Sequence, residues 1–180
     1  MTFVVDGTNG LTFNDATTQS STATNASNIS SGTLGKARLP TGSVLQVVNG
    51  TYGTLVSSGT ATYIDTGLTA TITPTSASSK ILVLVAQNGV SKTASGTASV
   101  GLILLRGSTT INGIALSWGY GLSSRIDDNT LSTCYLDSPA TTSATTYKTQ
   151  FRNNDGGGTV YMQYNGTNSL STITLMEISA

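Results

Sequence analysis

The sequence predicts an all-β protein, in which an antiparallel β-sandwich follows an extended N-terminal arm. Roughly a third of its 180 residues are Ser or Thr, 37% are hydrophobic and only 9% are charged. Thr favours pleated, half-buried strands, whereas Ser and Gly favour turns. Alternating apolar runs recur between Gly and Asn turn signals, and no stretch repeats its apolar residues with a helical period. The pattern therefore favours β-sheet over helix, and the scarcity of charge argues against a disordered chain.

The first segment, residues 1–25, is predicted to be an attachment arm. Two short apolar runs flank the turn signal Asn9-Gly10. This signal predicts either a hairpin or two extended segments laid on a partner. The residues predicted to make the attachment are Phe3, Val5, Leu11 and Phe13. Residues 14–28 are polar and lack a periodic apolar face, so we expect no fixed fold there in an isolated monomer.

The second segment, residues 26–43, is predicted to be a junction or short shaft. It is too polar for a core element, yet apolar residues recur every five positions, at Ile29, Leu34 and Leu39. That interval is too wide for one face of a helix or of a strand. It suits short extended segments, each of which directs one apolar residue toward a common axis. The spacing therefore predicts a junction in which these three residues face a common axis, which becomes a trimer junction if the resemblance described below holds.

The third segment, residues 44–180, is predicted to be a β-sandwich head of about ten strands, typical of a sandwich or barrel. The predicted strands lie at residues 44–48, 60–65, 69–73, 80–86, 97–106, 110–118, 130–136, 145–152, 159–164 and 171–178. The run 80–86 is almost continuously aliphatic, which is typical of a central strand buried on both faces. The strand at 97–106 places Val100, Leu102 and Leu104 on one face and Ile103 and Leu105 on the other.

Charge and hydropathy exclude several classes of partner. The formal net charge is zero and the eight Lys and Arg residues are scattered singly, whereas a surface for nucleic acid clusters them. No apolar run approaches the roughly 20 residues that span a bilayer, and the first residues lack the pattern of a signal peptide. We therefore expect no nucleic-acid partner, no membrane insertion, and assembly in a cytoplasm.

Catalysis and metal binding are also disfavoured. The chain has no histidine, the usual general base of hydrolases and the commonest transition-metal ligand. The single cysteine, Cys134, rules out an internal disulfide and is predicted to be a buried small hydrophobe. Residues 153–158 lack the spaced acidic ligands of a calcium loop and are predicted to form a hairpin turn. We expect no enzymatic activity, no metal and no cofactor.

The candidate ligand site is aromatic. Trp118 and Tyr120 stand among glycines at a predicted strand end, where flat rings can stack on sugar faces. Neighbouring residues that could bond sugar hydroxyls are Asp127, Asp128 and Asn129, which are predicted to form a loop. Trp118 has an alternative place in the core or at a trimer axis.

Several motifs resemble one family. In the head they are TGLTATITP at residues 66–74, SSKILV at 78–83 and ITLMEI at 173–178. In the arm and junction they are LTFNDATTQS at 11–20 and ISSGTLGKARLP at 29–40. The head resembles the C1q/TNF-like jelly-roll heads at the ends of trimeric fibres, including many bacteriophage fibre and spike proteins. The arm resembles segments that recur before such heads, so the resemblance implies a jelly-roll sandwich and a homotrimer.

The resemblance also implies a function. It predicts a virion structural protein, a trimeric tail fibre or tip that attaches to another virion protein through its arm. Its head would then recognise the host surface, with a glycan as the expected ligand. A trimeric capsid decoration, cement or head-fibre protein is the alternative, and a carbohydrate-active enzyme is a second alternative. The expected location is the exterior of the tail or of the capsid.

Overall fold

The computed structural model describes residues 4–6, 10–12, 18–19, 35, 38–93, 98–119 and 126–180, and for residues 4–6, 10–12, 18–19 and 126–128 it describes the backbone alone. The chain forms two compact units, Met1–Arg38 and Leu39–Ala180. The second unit is called the head below. The predicted site residues that lie outside the described residues are Phe3, Phe13, Ile29, Leu34 and Tyr120.

The first unit contains a small antiparallel sheet. Its strands are β1 (Val4–Asp6), β2 (Gly10–Thr12) and β3 (Thr18–Gln19), in the order β1-β2-β3. Val5 pairs with Leu11, so the chain adopts the hairpin alternative of the two predicted for the arm. The expectation of no fixed structure in residues 14–28 is wrong at β3. The backbone of β3 pairs with the edge of β2 that does not contact β1. Backbone hydrogen bonds of this kind form without an apolar side chain.

The head is a sandwich of two antiparallel sheets. Its strands are β4 (Val44–Tyr52), β5 (Val56–Ser58), β6 (Ile64–Ile72), β7 (Lys80–Lys92), β8 (Val100–Arg106), β9 (Thr109–Trp118), β10 (Ile126–Asp137), β11 (Thr145–Asn153), β12 (Val160–Met162) and β13 (Ser171–Ile178). Sheet I has the order β4-β13-β7-β12-β5, with β10 on the other edge of β7, and sheet II has the order β6-β11-β8-β9. The prediction of an all-β antiparallel sandwich is confirmed. No helix in the described part of the chain is long and apolar enough to cross a membrane.

The core lies between the sheets and has two apolar clusters. The first contains Ile81, Val83 and Val85 of β7 with Tyr147 of β11. The second contains Val90 of β7 with Phe151 of β11 and residues of β8 and β12. All five apolar residues predicted for the two faces of β8 are buried. The prediction that β7 is central is confirmed, but one of its faces, with Leu82 and Leu84, is only half-buried.

A line of buried polar side chains, here called the polar seam, separates the two clusters. Thr66 of β6 bonds Thr149 of β11 between their hydroxyls at 2.6 Å, and Thr149 Oγ1 donates to Gln87 Oε1 of β7 at 2.9 Å. Gln87 Nε2 then donates to Ser171 Oγ of β13 at 3.0 Å, and Gln163 Nε2 donates to the same oxygen at 2.8 Å. The seam therefore links sheet II to sheet I through hydrogen bonds inside the core.

Several predicted turns are strand interiors or crossovers. Residues 60–65 and 69–73 do not form two strands, because β6 runs through Gly67, where its pairing with β11 shifts register. Gly67 has a φ of +87°, and a Cβ there would meet the ring of Tyr52. Thr66-Gly67 is thus a β-bulge rather than a turn. Residues 153–158 are not a hairpin turn, because β11 belongs to sheet II and β12 to sheet I.

Two predictions about β10 are wrong, namely that Cys134 is buried and that Asp127 and Asp128 lie in a loop. Cys134 is exposed rather than buried, because its register with Leu84 places it on the outer face of sheet I. Asp127 and Asp128 do not lie in a loop, because their backbone belongs to β10, at a register shift against β7.

Both ends of the head unit lie at one end of the sandwich, here called the base. Ile178 pairs with Val44 at the start of β4 and with Lys80 at the start of β7. Gly42 N donates to Ser179 O at 2.9 Å. Leu39, the one predicted junction residue in the described chain, is half-buried where the head begins.

Two buried carboxylates link the sheets at the base. Glu177 and Asp137 pair with Ile81 from either side of β7. Asp137 accepts hydrogen bonds at 2.9 Å from Arg106 and at 2.6 Å from the hydroxyl of Tyr147. Burial, and then the negative charge of Asp137, raises the pKa of Tyr147 well above its ordinary value, so the phenol remains a donor.

Glu177 is held by three short hydrogen bonds. The backbone and the hydroxyl of Thr75 both donate to Oε1 at 2.7 Å, and Gln46 Nε2 donates to Oε2 at 2.6 Å. Burial alone would raise the pKa of Glu177, but the bonds from Thr75 and Gln46 outweigh it, so the pKa lies below its ordinary value.

Replacing Glu177 by Gln is therefore expected to destabilise the head in a pH-dependent way. A group whose pKa is lower in the folded state stabilises it above its unfolded pKa and loses that contribution as the pH falls through its folded pKa. At pH 7 we expect a loss of about 2 kcal/mol, the scale of hydrogen bonds to a charged group. Urea unfolding at pH 7 and at acid pH checks this. A difference between wild type and variant that stays constant as the pH falls would contradict it.

Candidate functional site

The end of the sandwich opposite the base, here called the rim, brings several strand ends together. β7 ends at Lys92, which pairs with Ile126 at the start of β10. In sheet II, Val100 at the start of β8 pairs with Trp118 at the end of β9 and with Asn153 at the end of β11. The rim therefore lies at the far end of β7 from the residues at which the head begins and ends.

A buried lysine holds two of the rim segments together. The side chain of Lys92 is only 1% exposed. Its Nζ donates to the carbonyl of Ala98 at 3.0 Å and to that of Gly119 at 2.5 Å. Carbonyl oxygens are acceptors that a buried ammonium needs in place of water. Lys92 thus ties the segment before β8 to the segment after β9, and so fixes the end of the strand that carries Trp118.

A polar network covers the adjacent part of the rim. Ser99 Oγ donates to a carboxylate oxygen of Asp155 and accepts from Ser117 Oγ at 3.0 Å. Asn153 Nδ2 donates to the carbonyl of Gly158 at 2.9 Å, which closes the segment after β11. Ser117 and Asp155 are exposed, whereas Ser99 is buried beneath them. The network presents a hydroxyl and a carboxylate to solvent from a fixed support.

Arg152 lies next to this network on the outer face of sheet II. Its Nε donates to Asn154 Oδ1 at 2.6 Å. Its Cζ lies 4.6 Å from the ring centroid of Tyr63, a cation–π distance. Gly101 of β8 leaves room for this arrangement, because a Cβ there would come within 3.2 Å of Arg152 Cγ and 2.8 Å of Asn154 Oδ1. Three neighbours therefore hold the guanidinium in one place.

The predicted aromatic site is partly described. Trp118 is half-buried and packs against the second apolar cluster, at the last position of β9. Asn129 is half-buried on β10, where it pairs with Val90. The backbone of Asp127 and Asp128 lies in β10 between Asn129 and Ile126, and Ile126 pairs with Lys92 at the rim. The structure thus brings the start of β10 and the end of β9 to the same end of the sandwich.

Sequence reasoning missed Lys92, Arg152 and the network around Ser99. Lys92 follows an apolar strand and reads as an ordinary exposed end of that strand. The contacts of Arg152 come from Tyr63 and Gly101, which are far away in the sequence. The parity of β11, which places Lys148, Gln150 and Arg152 on one face, was the one signal that grouped Arg152 with other polar residues.

The outer face of sheet I is a second candidate surface, and it carries an exposed apolar row. Val47, Met176, Leu82 and Leu136 lie side by side across β4, β13, β7 and β10. Val47 is 55% exposed and Leu136 is 51% exposed. Among the outward side chains that the structure describes in these four strands, which leave out residues 126–128, Lys80 at the edge is the one charged group. An exposed apolar face of this kind is typical of a protein–protein contact.

The outer face of sheet II is polar by contrast. Lys148 of β11 forms an ion pair of 2.9 Å with Asp65 of β6, and Gln150 Nε2 donates to the same carboxylate at 2.7 Å. Burial alone would raise the pKa of Asp65, but the hydrogen bonds from Lys148 and Gln150 outweigh it, so the pKa lies below its ordinary value. The charge of Lys148 is therefore compensated within the sheet.

The rim offers the groups that sugars require. Hydroxyl, amide and carboxylate groups lie beside a half-buried tryptophan, which suits a ligand rich in hydroxyls. No group of three or more His, Cys, Asp or Glu that could hold a metal ion occurs among the residues that the structure describes.

Comparisons with known proteins give few matches. No family model matches the chain, and no curated protein does either. Among solved structures, the chain is similar to a mutant VP2 protein of infectious bursal disease virus in derived T=1 particles, with 17% identity and a TM-score of 0.40. It is also similar to the structure of the Gt strain of that virus, with 14% identity and a TM-score of 0.40. Each match covers 76% of this chain, which spans 37% and 41% of the two matched chains.

Proposed function

We propose that the protein is a virion structural protein, a trimeric tail fibre or tip whose head binds host-surface glycans through its rim. The observation that carries this proposal is that the surfaces of the head differ in chemical character. Sheet I carries an exposed apolar row on its outer face, sheet II carries the Lys148–Asp65 ion pair on its outer face, and the rim carries a supported polar network beside Trp118. The arm is the proposed attachment to another virion protein.

The apolar face supports self-association. A neutral chain with few charges and an exposed row of apolar side chains tends to associate. Two copies of this surface can pack together without burying an unpaired charge. The sequence resemblance favours three copies about an axis over two. In that arrangement sheet I faces the axis and sheet II faces solvent, which agrees with the ion pair and the polar residues on sheet II.

The placement of the rim supports presentation to a ligand. The head unit begins and ends at the base, where Gly42 and Ser179 are hydrogen-bonded. Lys92 and the network around Ser99 lie at the other end of the long strand β7. An attachment made through the start of the head leaves the rim at the free end.

Replacing Met176 by Asp is expected to dissociate the trimer. Met176 lies at the centre of the apolar row, between Val47 and Leu82, and a buried unpaired charge there would cost several kcal/mol per contact. Sedimentation should give about 55 kDa for three wild-type chains of 18.4 kDa and a single-chain mass for the variant. The control Thr71→Asp, on the exposed outer face of sheet II, should remain trimeric.

Either of two results would contradict the assembly part of the proposal. One is a wild-type monomer at micromolar concentration. The other is a Met176→Asp variant that keeps the wild-type mass. The functional part is tested with labelled wild-type protein on host cells, which it should coat, thereby slowing adsorption of the virus. Virions that adsorb normally but become fragile without the protein would instead favour the capsid-decoration alternative.

A further inference from the structure

Arg152 differs from Arg106 and Lys148 in how its charge is held. Arg106 pairs with Asp137, and Lys148 pairs with Asp65. Arg152 is instead held by the amide of Asn154 and the ring of Tyr63, both of which are neutral. No carboxylate of the described residues lies within the ion-pair distance of 4.0 Å from it. Its positive charge is therefore uncompensated at a half-buried position.

The two Nη nitrogens of this guanidinium are available to donate hydrogen bonds to a ligand. Asn154 occupies Nε, and neither Nη nitrogen hydrogen-bonds a residue in the described part of the chain. A guanidinium presents its donors in a planar fork that matches the two oxygens of a carboxylate. Because Tyr63 and Gly101 already restrict the side chain, an anion that binds there loses little side-chain entropy on binding.

We propose that the rim site is specific for acidic glycans, with Arg152 binding the carboxylate of a uronic or sialic acid residue. This inference rests on the proposed glycan-binding function and names its ligand class. The hydroxyl of Ser117 and the carboxylate of Asp155, which join Arg152 through Ser99 and Asn154, are placed to bond the hydroxyls of the same sugar or its neighbour. A neutral sugar would leave the charge of Arg152 without a partner.

The test compares an acidic sugar with its neutral ester on the intact protein. The probes are sodium D-glucuronate, its methyl ester and inorganic phosphate, and the readout is the Nε–Hε signal of Arg152 in nuclear magnetic resonance. We expect glucuronate to shift this signal to saturation. The ester should bind roughly 10- to 100-fold more weakly, the scale of a hydrogen-bonded ion pair. Equal binding of the ester, or phosphate binding as tight as that of glucuronate, would overturn the proposal.

Three variants complete the test. Arg152→Gln should lose glucuronate binding by a similar factor, and Arg152→Lys, which keeps the charge but not the fork, should lose roughly tenfold. The matched control Lys148→Gln removes one charge from the same strand and face and should change binding less than about twofold. If both Arg152 variants bind glucuronate as wild type does, the assignment of Arg152 is wrong.

A glycan array separates this inference from the function on which it rests. Wild type that binds acidic glycans and not their carboxyl-reduced forms supports both. Wild type that binds neutral glycans equally well, with Arg152→Gln unchanged, overturns the acidic specificity and leaves glycan binding in place. Wild type that binds neither class of glycan and no host cells contradicts both.

Discussion

Replacing Asp137 by Ala is expected to destabilise the head by about 3 kcal/mol, the scale of breaking a buried ion pair from one side. Asp137 is almost completely buried and both of its oxygens accept from Arg106 at 2.9 Å. The variant leaves the fully buried Tyr147 hydroxyl without its acceptor, and it leaves the Arg106 charge with the carbonyl of Ser138 at 3.4 Å in place of a carboxylate. Chemical unfolding at a fixed protein concentration measures the loss.

The variant Tyr147→Phe is the matched control for this prediction. It removes one hydroxyl, keeps the ring in the first apolar cluster, and leaves the Arg106–Asp137 pair intact. We expect it to cost about 1 kcal/mol, as for one hydrogen bond. If the two variants cost the same, the ion pair contributes nothing, and the hydrogen bond between Tyr147 and Asp137 accounts for the whole loss.

Replacing Ser171 by Ala is expected to cost a similar amount, about 3 kcal/mol, because a single hydroxyl satisfies several buried donors. Ser171 Oγ accepts from Gln87 Nε2, Gln163 Nε2 and the backbone of Asn88. Each buried donor that loses its acceptor costs about 1–3 kcal/mol unless water replaces it. The loss should appear in the denaturation midpoint with an unchanged slope, because the surface exposed on unfolding stays the same.

The variant Thr71→Ala tests whether burial is the reason. Thr71 and Thr146 bond through their hydroxyls at 2.7 Å on the exposed face of sheet II. Removing one of them should change stability by less than about 0.5 kcal/mol. An equal cost at Thr71 and Ser171 would show that the polar seam is no more important than a surface contact.

Strand alternation predicted much of the head. The final strand matches its prediction at both ends, and the two faces of β8 contain the residues expected from parity. In β8 both faces are apolar and both are buried, so the strand fits the core whichever face points to the other sheet.

Parity failed where a strand has apolar residues on both faces. In β10, Leu131 and Leu136 have opposite parity, so the sequence does not say which set points inward. Pairing with β7 decides it, and Cys134 then lies outward with Leu136. Turn signals failed for a related reason. Gly50 and Gly67 are required by close packing against Thr69 and Tyr52, which only the assembled sheets reveal.

The candidate site was the least predictable part. Trp118 could be selected because it is a rare residue among glycines, but Lys92 and Arg152 carry no local signal. Their partners are Gly119 for Lys92 and Tyr63 for Arg152. A site assembled by contacts between distant segments can be found only once the register of every strand is known.

The polar seam also separates the parts of the head that can evolve independently. It lies between an apolar cluster that includes Ile81 and Tyr147, near the base, and one that includes Val90 and Phe151, near the rim. Ile114 of β9 packs against both clusters, but their buried members are otherwise distinct, so substitutions away from Ile114 should have nearly additive effects on stability. The rim can therefore be diversified, by selection or by loop exchange in the laboratory, while the base half of the head is left unchanged.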